Sequence, residues 1–597
     1  MMSESLYSLF LPPEGYLGDF GLFCGFTASP DTLAQIKRRF SPEASRPALA
    51  AFIHPTTNAI SDVPGLAWIW MDPARPGYNL LHAKVALLGF RQRHEDRYLI
   101  RLAVSTGNWT QDPLTDSIDM YWSLDLDPHR RPASQSIADI RSAWSLFNWL
   151  RQRGDTSLIA RSYDGLRPDA MLAAAITGLP ESEATPRFID SRQNALMEQV
   201  IDRLSRGRKQ NHLIVGSGFF EGKNNSAESV PERVRRRLME RGKLAVDCIS
   251  YLTLNATACQ DLASRAPQMQ DWYIRAPRSP AHQPNAKLHA KFIAVTNRGS
   301  SEDRVQGKVY LGSGNLSRMG FEIAARRGGN LEAGVVFDVS DLQWRKNSRN
   351  DIRKYLPIDF DEPIQPASLL PGSDFERPEE PESQPPITFL LWFAGQLSAP
   401  EGKAIKVLQD GNIVTTPCAW PSPAPAVVVT AKDGWRLPVI AEGVLVAPRP
   451  QHMTVEDILA GLANFPEPAE DDVDTEIDGK QIGDAAAEIT HTPPTVYAIR
   501  RMMQLLVPLA EAQARVALRD WPRWCRELRQ NLLALSQSEE ETISFFRKAR
   551  ANPLPALLDH RMRPDGVEVQ ELQAALAAVA DNWRLGSCPS LWATEVA

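Results

Sequence analysis

The chain is short of cysteine pairs, of long apolar runs and of basic charge in its second half. Its six cysteines (Cys24, Cys248, Cys259, Cys418, Cys525, Cys588) are scattered, and none belongs to a C-x-x-C pair. That spacing argues against a structural zinc site and a disulfide framework, and makes a reducing cytoplasm the expected location. No apolar stretch approaches the roughly 18 residues that cross a bilayer, so no membrane partner is expected. The opening segment, "MMSESLYSLFLPPEGY", lacks a basic stretch followed by an apolar one, and no signal peptide is expected.

What is present is unevenly distributed. The 597 residues are 43% hydrophobic, enough for several cores, and length alone suggests roughly three or four domains. The net charge of −6 argues weakly against a nucleic-acid partner. Yet residues 1–360 carry +8, residues 361–597 carry −14, and 201–360 alone carries +11. Such asymmetry suggests one face built for a polyanion and a separate acidic module; chance variation between domain surfaces is the plainer reading of the same numbers.

Short β-rich runs alternate with helical patterns twice. In the first half they are 21–26, 48–55, 65–72, 84–90 and 98–105, with helices predicted at 29–40 and 134–153. In the second they are 211–220, 243–252, 271–277, 289–295 and 331–338, with helices at 191–207 and 230–242. Interleaving of this kind predicts an α/β sheet in each half. The expected domains are 1–165 and 166–365 as two α/β lobes, a Pro/Glu linker at 366–386, a small β domain at 387–450, and an acidic linker with a helical domain at 451–597.

The two halves share one hairpin. Laid without gaps, 82–110 and 289–317 match at 9 of 29 positions, and His82 to Asn108 spans the same distance as His289 to Asn315. Each unit opens on "HAK" and ends on Gly-Asn. On a strand, alternate residues face one side, so His and Lys of each tripeptide point together, and the glycine turn returns the asparagine to the same spot. Two such units present two imidazoles (His82, His289), two ammoniums (Lys84, Lys291) and two amides (Asn108, Asn315). That set suits phosphoryl transfer. One imidazole attacks phosphorus, the other protonates the leaving oxygen, and the lysines and asparagines stabilise the non-bridging oxygens in place of a metal. Neither a metal nor a cofactor is expected.

The paired H-x-K…G-N units resemble the signature of the phospholipase D superfamily. Many members carry an Asp further along each motif; Gly89 and Thr296 stand there in this chain, a variant similar to the tyrosyl-DNA phosphodiesterase branch. The resemblance covers about 20–340. It implies two facing, pseudo-symmetric lobes that share one phosphodiesterase site. It assigns His82 as nucleophile, forming a phosphohistidine, and His289 as general acid and then base. It implies phosphate binding by Lys84, Lys291, Asn108 and Asn315. "GSGNLSRMGFEIAARRGGNLEAG" resembles the family's G-S-x-N…N-x-E pattern and adds Ser313, Gly314 and Glu332, the last orienting an imidazole. In the first unit Thr106 and Asp119 take comparable places, and the resemblance implies substrate contact by Thr106, Ser313 and Gly314. Ser217, Phe219 and Phe220 in "VGSGFF" fall where relatives line the substrate groove, as stacking or contact residues. Buried core is an equal alternative for the two phenylalanines. "RGRK" (206–209) and "ERVRRRLMERGK" (232–243) offer phosphate contacts or a solvated helix face.

The expected function is a metal-independent phosphodiesterase acting on nucleic acid, a nuclease or a processor of DNA ends and adducts, placed in a bacterial DNA-processing or anti-phage defence system. A phospholipid phosphodiesterase or phosphatidyltransferase uses the same groups. A third reading is a conditional or inactive subunit whose acidic C-terminal half docks a helicase-like protein partner.

Overall fold

The computed structural model describes residues 6–446 and 502–590, except for 42–44, 56–62, 73–76, 93–96, 222–227, 299–304, 374–384 and a few gaps of one to three residues. The proposed Pro/Glu linker core, the acidic stretch at 466–479 and most of the repeated E-D-R triplets lie outside the described residues.

Two seven-stranded sheets dominate. The first is built from β1 (Tyr16–Gly25), β2 (Leu49–Ile53), β3 (Leu66–Met71), β4 (Val85–Gln92), β5 (Tyr98–Ser105), β7 (Tyr121–Leu126) and β8 (Gly154–Asp155). Its order is β7-β5-β4-β1-β2-β3-β8. The second holds β9 (Phe188–Asp190), β10 (Gln210–Gly216), β11 (Leu244–Thr253), β12 (Trp272–Arg275), β14 (Phe292–Arg298), β15 (Val305–Gly312) and β16 (Ala333–Val339), in the order β12-β11-β10-β14-β15-β16-β9. β1–β2–β3 run parallel, while β1–β4–β5–β7 are antiparallel neighbours. β10–β11–β12 and β10–β14–β15–β16 repeat those relations. Two short strands, β6 (Ser117–Ile118) and β13 (Lys287–Leu288), pair with each other and join the two halves.

The strands are nearly continuous apolar runs because both faces are covered. Helix Pro30–Phe40, opened by Ser29 and Pro30, packs Leu33, Ile36 and Phe40 on one face of the first sheet. Helices Leu196–Leu204 and Val230–Glu240 cover the second sheet; the latter starts in a Ser229/Glu232 capping box. One continuous core then joins the sheets: Leu22, Val85 and Leu102 of the first, Ile214, Phe292 and Leu311 of the second, and Ile140 and Phe147 of helix Ser134–Arg151. The prediction of a mixed α/β chain agrees with this architecture.

Beyond 385 the chain forms a six-stranded sheet between Leu390 and Val446 with a separate hairpin, Lys406–Gln409 with Asn412–Thr415. Helices Trp521–Ser538, Glu540–Ala549 and Val569–Asn582 follow around their own core. Neither module stands apart. Phe389, Ile440 and Leu445 belong to the core that joins the two large sheets. Trp435 meets Trp70 edge-on at 4.9 Å. Asp520 receives two bonds from Arg91 of β4, at 2.5 and 3.2 Å, with both side chains buried.

Candidate active site

Both "HAK" tripeptides sit just ahead of their strands, not within them: β4 begins at Val85 and β14 at Phe292. Each is anchored by backbone bonds to the other half of the molecule. The N–H groups of His82 and Ala83 donate to the Leu331 carbonyl (2.9 and 2.7 Å), and those of His289 and Ala290 to the Ile118 carbonyl (3.0 and 2.8 Å). The residue after each of those carbonyls is a carboxylate. His82 Nδ1 lies 2.8 Å from Glu332 Oε2, and His289 Nδ1 lies 2.9 Å from Asp119 Oδ1. Each imidazole is therefore oriented by an acid from the opposite half, across 250 and 170 residues of sequence.

Both acids are fully buried and held from several sides. Ser313 donates to Glu332 Oε2 at 2.5 Å, Asn330 Nδ2 to Oε1 at 3.3 Å, and the Glu332 N–H donates to Ser191 Oγ. Thr106 and Ser117 donate to the two oxygens of Asp119 at 2.7 and 2.6 Å. The Thr106 hydroxyl also accepts from the Met120 N–H. Space beneath is closed: a Cβ on Gly107 would lie 2.8 Å from the Asp119 carboxyl, and one on Gly218 only 2.3 Å from the Leu288 carbonyl oxygen.

Lys84 and Lys291 are fully buried. Lys84 Nζ donates to the His82 carbonyl at 2.8 Å, and Lys291 Nζ to the Thr106 carbonyl at 3.4 Å. Burial and its neighbour Lys291 lower Lys84 to about 7; burial lowers Lys291 to about 8, against the pull of Asp119 and Glu332. Burial also keeps His82 neutral, well below its ordinary range, helped by Lys84, Lys291 and His289. His289 is lowered by burial and Lys291, with Asp119 acting the other way. The two acids part company. Burial pushes Glu332 up to about 7, whereas at Asp119 the charges of His289 and Lys291 and the Ser117 bond outweigh burial and hold the carboxyl well below its usual range. Asn108 Oδ1 and Asn315 Oδ1 are buried and accept from nothing among the described residues.

Of the residues predicted from sequence, the fold gathers His82, Lys84, His289, Lys291, Glu332 and Asp119, with Thr106 and Ser313 behind the acids. Thr106 and Ser313 thus act on carboxylates, where substrate contact was expected. Gly314 is a packing position: a Cβ there would lie 2.6 Å from Leu196 Cδ1. The Ser217 hydroxyl is occupied by the Phe219 carbonyl (2.6 Å). β10 ends at Gly216, so 217–220 is a loop past the strand. Phe220 is a correction: it is 2% exposed and packs in the core of the second sheet, because its backbone bridges Leu316 and its N–H donates to Gln260. Phe219 is half-buried. The arginines of 232–243 are also largely engaged: Arg233 binds Glu322, Arg236 binds Glu228 and Glu240, and Arg237 binds Glu198. These arginines are therefore held by carboxylates, although the regional excess of +11 remains.

Sequence reasoning missed Ser117, Ser191 and Asn330, whose roles appear only when distant segments meet. It also missed Phe26 and His54. Phe26 lies 5.5 Å, ring to ring, from His82 and stacks on His54 at 5.4 Å. "FIHP" at the end of a predicted strand was the available signal for His54.

The chain is similar to solved structures of the yeast tyrosyl-DNA phosphodiesterase, at 12% identity and a TM-score of 0.38, over 56% of this chain and 89% of that one. A structure of a mutant of that enzyme gives 13% identity and 0.38, over 58% and 90%. The polyphosphate kinase from Porphyromonas gingivalis is similar at 14% identity and 0.34, over 62% of this chain and 48% of that one. No family model matches the chain. No curated protein matches it.

Proposed function

We propose that the chain is a phosphodiesterase of the phospholipase D type that cleaves nucleic acid through a phosphohistidine, without a metal. One observation carries the proposal: two imidazole–carboxylate pairs, each made by opposite halves of the chain, enclose two buried lysines. In this reading 1–165 and 166–365 are two pseudo-symmetric lobes, and the repeated strand order reflects that relation.

With its Nδ1–H donating to Glu332, His82 offers the Nε2 lone pair to phosphorus. The N–P bond forms as the bond to the leaving oxygen breaks. His289, paired with the ionised Asp119, gives that oxygen a proton. Water then attacks phosphorus from the vacated side, His289 takes its proton, and the N–P bond breaks to regenerate His82. Lys84 and Lys291, already buried, need no reorganisation to stabilise the equatorial oxygens. His289 is the more open ring, with its side chain 34% exposed against 10% for His82, which suits the partner that must meet leaving group and water.

Three exposed cations support a polyanionic substrate. Lys287, two positions ahead of His289, and Arg326 and Arg327, on the segment leading to Glu332, pair with no carboxylate among the described residues. They are the cations that phosphates flanking the scissile one would meet in this reading.

The test is cleavage of a fluorescent single-stranded oligonucleotide in EDTA, with His82→Ala as control. Turnover that survives chelation and disappears in the variant is expected. In His289→Ala, denaturing gels of alkali-quenched reactions should show label held on the protein. Undiminished turnover by His82→Ala refutes the mechanism, and cleavage confined to phospholipid headgroups refutes the substrate.

A further inference from the structure

The second sheet is not covered out to its edge. On β11 and β12 alternate residues point to opposite sides. Leu252, Trp272 and Ile274 enter the core beneath helices Leu196–Leu204 and Val230–Glu240, while Tyr251, Tyr273 and Arg275 lie on the other face. Tyr251 stands opposite Tyr273 in register, with ring centroids 5.7 Å apart. Phe360 meets Tyr251 edge-on at 5.0 Å, and Trp344 meets Phe360 at 5.4 Å. The row runs from the buried Trp344, through the half-buried Phe360 and Tyr251, to Tyr273, which is 52% exposed. The core that joins the two sheets thus reaches the surface as a row of rings.

Cations are set among these rings. The Arg275 guanidinium stands over both tyrosines, 5.8 Å from the Tyr251 centroid and 5.5 Å from that of Tyr273. Its Nε donates to the Phe360 carbonyl and its Nη1 to the Ile274 carbonyl, and it pairs with no carboxylate among the described residues. Arg278 is exposed and donates to the Arg353 carbonyl; Lys354, next in the chain, is exposed too, and neither binds a carboxylate among the described residues. The adjoining segment carries Asp361, bound by Lys346, and the exposed Glu362. The edge of β12 has little room for an added strand, because the Ile364 N–H donates to the Ile274 carbonyl and the Ala276 N–H to the Glu362 carbonyl. What lies open is a side-chain face. Register gives its place: Arg275 lies opposite Thr253, Thr253 opposite Gly216, and Gly216 opposite Phe292, the residue after Lys291. Arg275 is level with the start of β14 and three strands across the sheet from it, about 14 Å at the usual strand spacing.

We infer that Tyr273 and Arg275, backed by Tyr251, form a stacking platform for single-stranded nucleic acid, apart from the scissile phosphate. This rests on the nucleic-acid reading and adds to it a second contact, which engages only strands long enough to reach β12. An exposed ring beside a guanidinium offers any base a π-face, and cations without carboxylate partners hold the backbone. Tyr251 and the Phe360 carbonyl already hold the two side chains, so little freedom is lost on binding.

The experiment measures binding of oligothymidylates of about 3 and about 12 nucleotides, the longer matching a usual single-strand site. The protein is the full chain carrying His82→Ala, so that no turnover intrudes. Adding Tyr273→Leu, which keeps apolar bulk on the strand, should weaken the longer ligand about 5- to 150-fold and leave the shorter unchanged. Tyr273→Phe should bind both as the parent chain does. With 5-iodouracil along the longer ligand, photocrosslinks mapped by peptide mass spectrometry should fall on Tyr273 or Tyr251. Binding of the longer ligand unaltered by Tyr273→Leu, or weakened equally at both lengths, overturns the inference. Cleavage of the longer ligand by the chain with His82 intact is followed in parallel. Length-dependent loss without cleavage keeps the platform and overturns the reaction. Cleavage without length-dependent loss does the reverse.

Discussion

Glu332 and Asp119 do the same geometric job with opposite electrostatic settings, and the difference yields separable outcomes. Glu332→Gln removes the acceptor for His82 Nδ1–H, so kcat should fall about 10- to 100-fold whatever the leaving group. Asp119→Asn weakens the imidazolium form of His289, and its cost depends on how much the departing oxygen needs a proton. Steady-state assays should show a loss of about 10- to 100-fold with alkoxide leaving groups and little with p-nitrophenolate. Equal losses on both substrates in Asp119→Asn would remove the acid role of His289. The lysines set the pH behaviour. Lowered to about 7 and about 8, they bind phosphate only when protonated, so kcat/KM should decline as pH rises through that window. A lowered lysine pKa also means that the fold loses stability as pH falls from the ordinary lysine value of 10.5 to about 7, and a bound anion offsets that loss. Calorimetry should find that inorganic phosphate raises Tm more at pH 6.5 than at pH 9, and not in Lys84→Met.

At the scale of elements, the site depends on short segments that lack strand-like length. β6 and β13 each have two residues, yet their pairing sets His289 against Asp119. The Leu81–Leu331 bridge does the same for His82 and Glu332. Glycines make the close approach feasible. Gly218→Ala would drive a methyl into the Leu288 carbonyl and the His289 backbone, and Gly107→Ala into the Asp119 carboxyl. Overpacking of this sort costs about 1–3 kcal/mol of stability. Because the displaced atoms carry or orient the His289 imidazole, activity should fall by more than the Tm shift implies, which thermal melts and assays on the same preparations would show. A full loss of fold with either alanine would place these glycines in folding, not in catalysis. The elements were legible in part: the strands and helices expected from sequence lie within a few residues of those observed, because apolar runs and caps are local signals, whereas β7, β9 and helix Ala170–Thr177 were not read. The cross-pairing was not legible, since nothing in "TDSIDMYW" says which histidine its aspartate will meet.

Over the whole molecule, neither 1–165 nor 166–365 holds a complete imidazole–carboxylate pair. Fragments 1–165 and 166–365 should each be inactive alone. The C-terminal half is tied into this arrangement. Phe389, Ile440 and Leu445 fill part of the core that joins the sheets, so deleting 366–597 strips apolar cover from the lobes as well as removing an acidic module. A point change is the cleaner probe. Asp520→Ala leaves Arg91 buried without its carboxylate, which costs about 3–5 kcal/mol. Hydrogen exchange should then show the helices from Trp521 to Asn582 losing protection while the central strands β4 and β14 keep theirs. Uniform loss across the molecule would mean that the modules unfold as one unit.

Sequence by itself determined the chemistry on offer: two H-x-K…G-N units at equal spacing, an alternation that demands α/β sheets, and charge sorted along the chain. These are local patterns, carried by neighbours in the chain. Tertiary structure alone decided which acid serves which imidazole, that the helix arginines are spent on carboxylates, that Phe220 is core, and that the Phe26 ring stands beside His82. Those facts depend on contacts between segments up to 250 residues apart, and no local period encodes them.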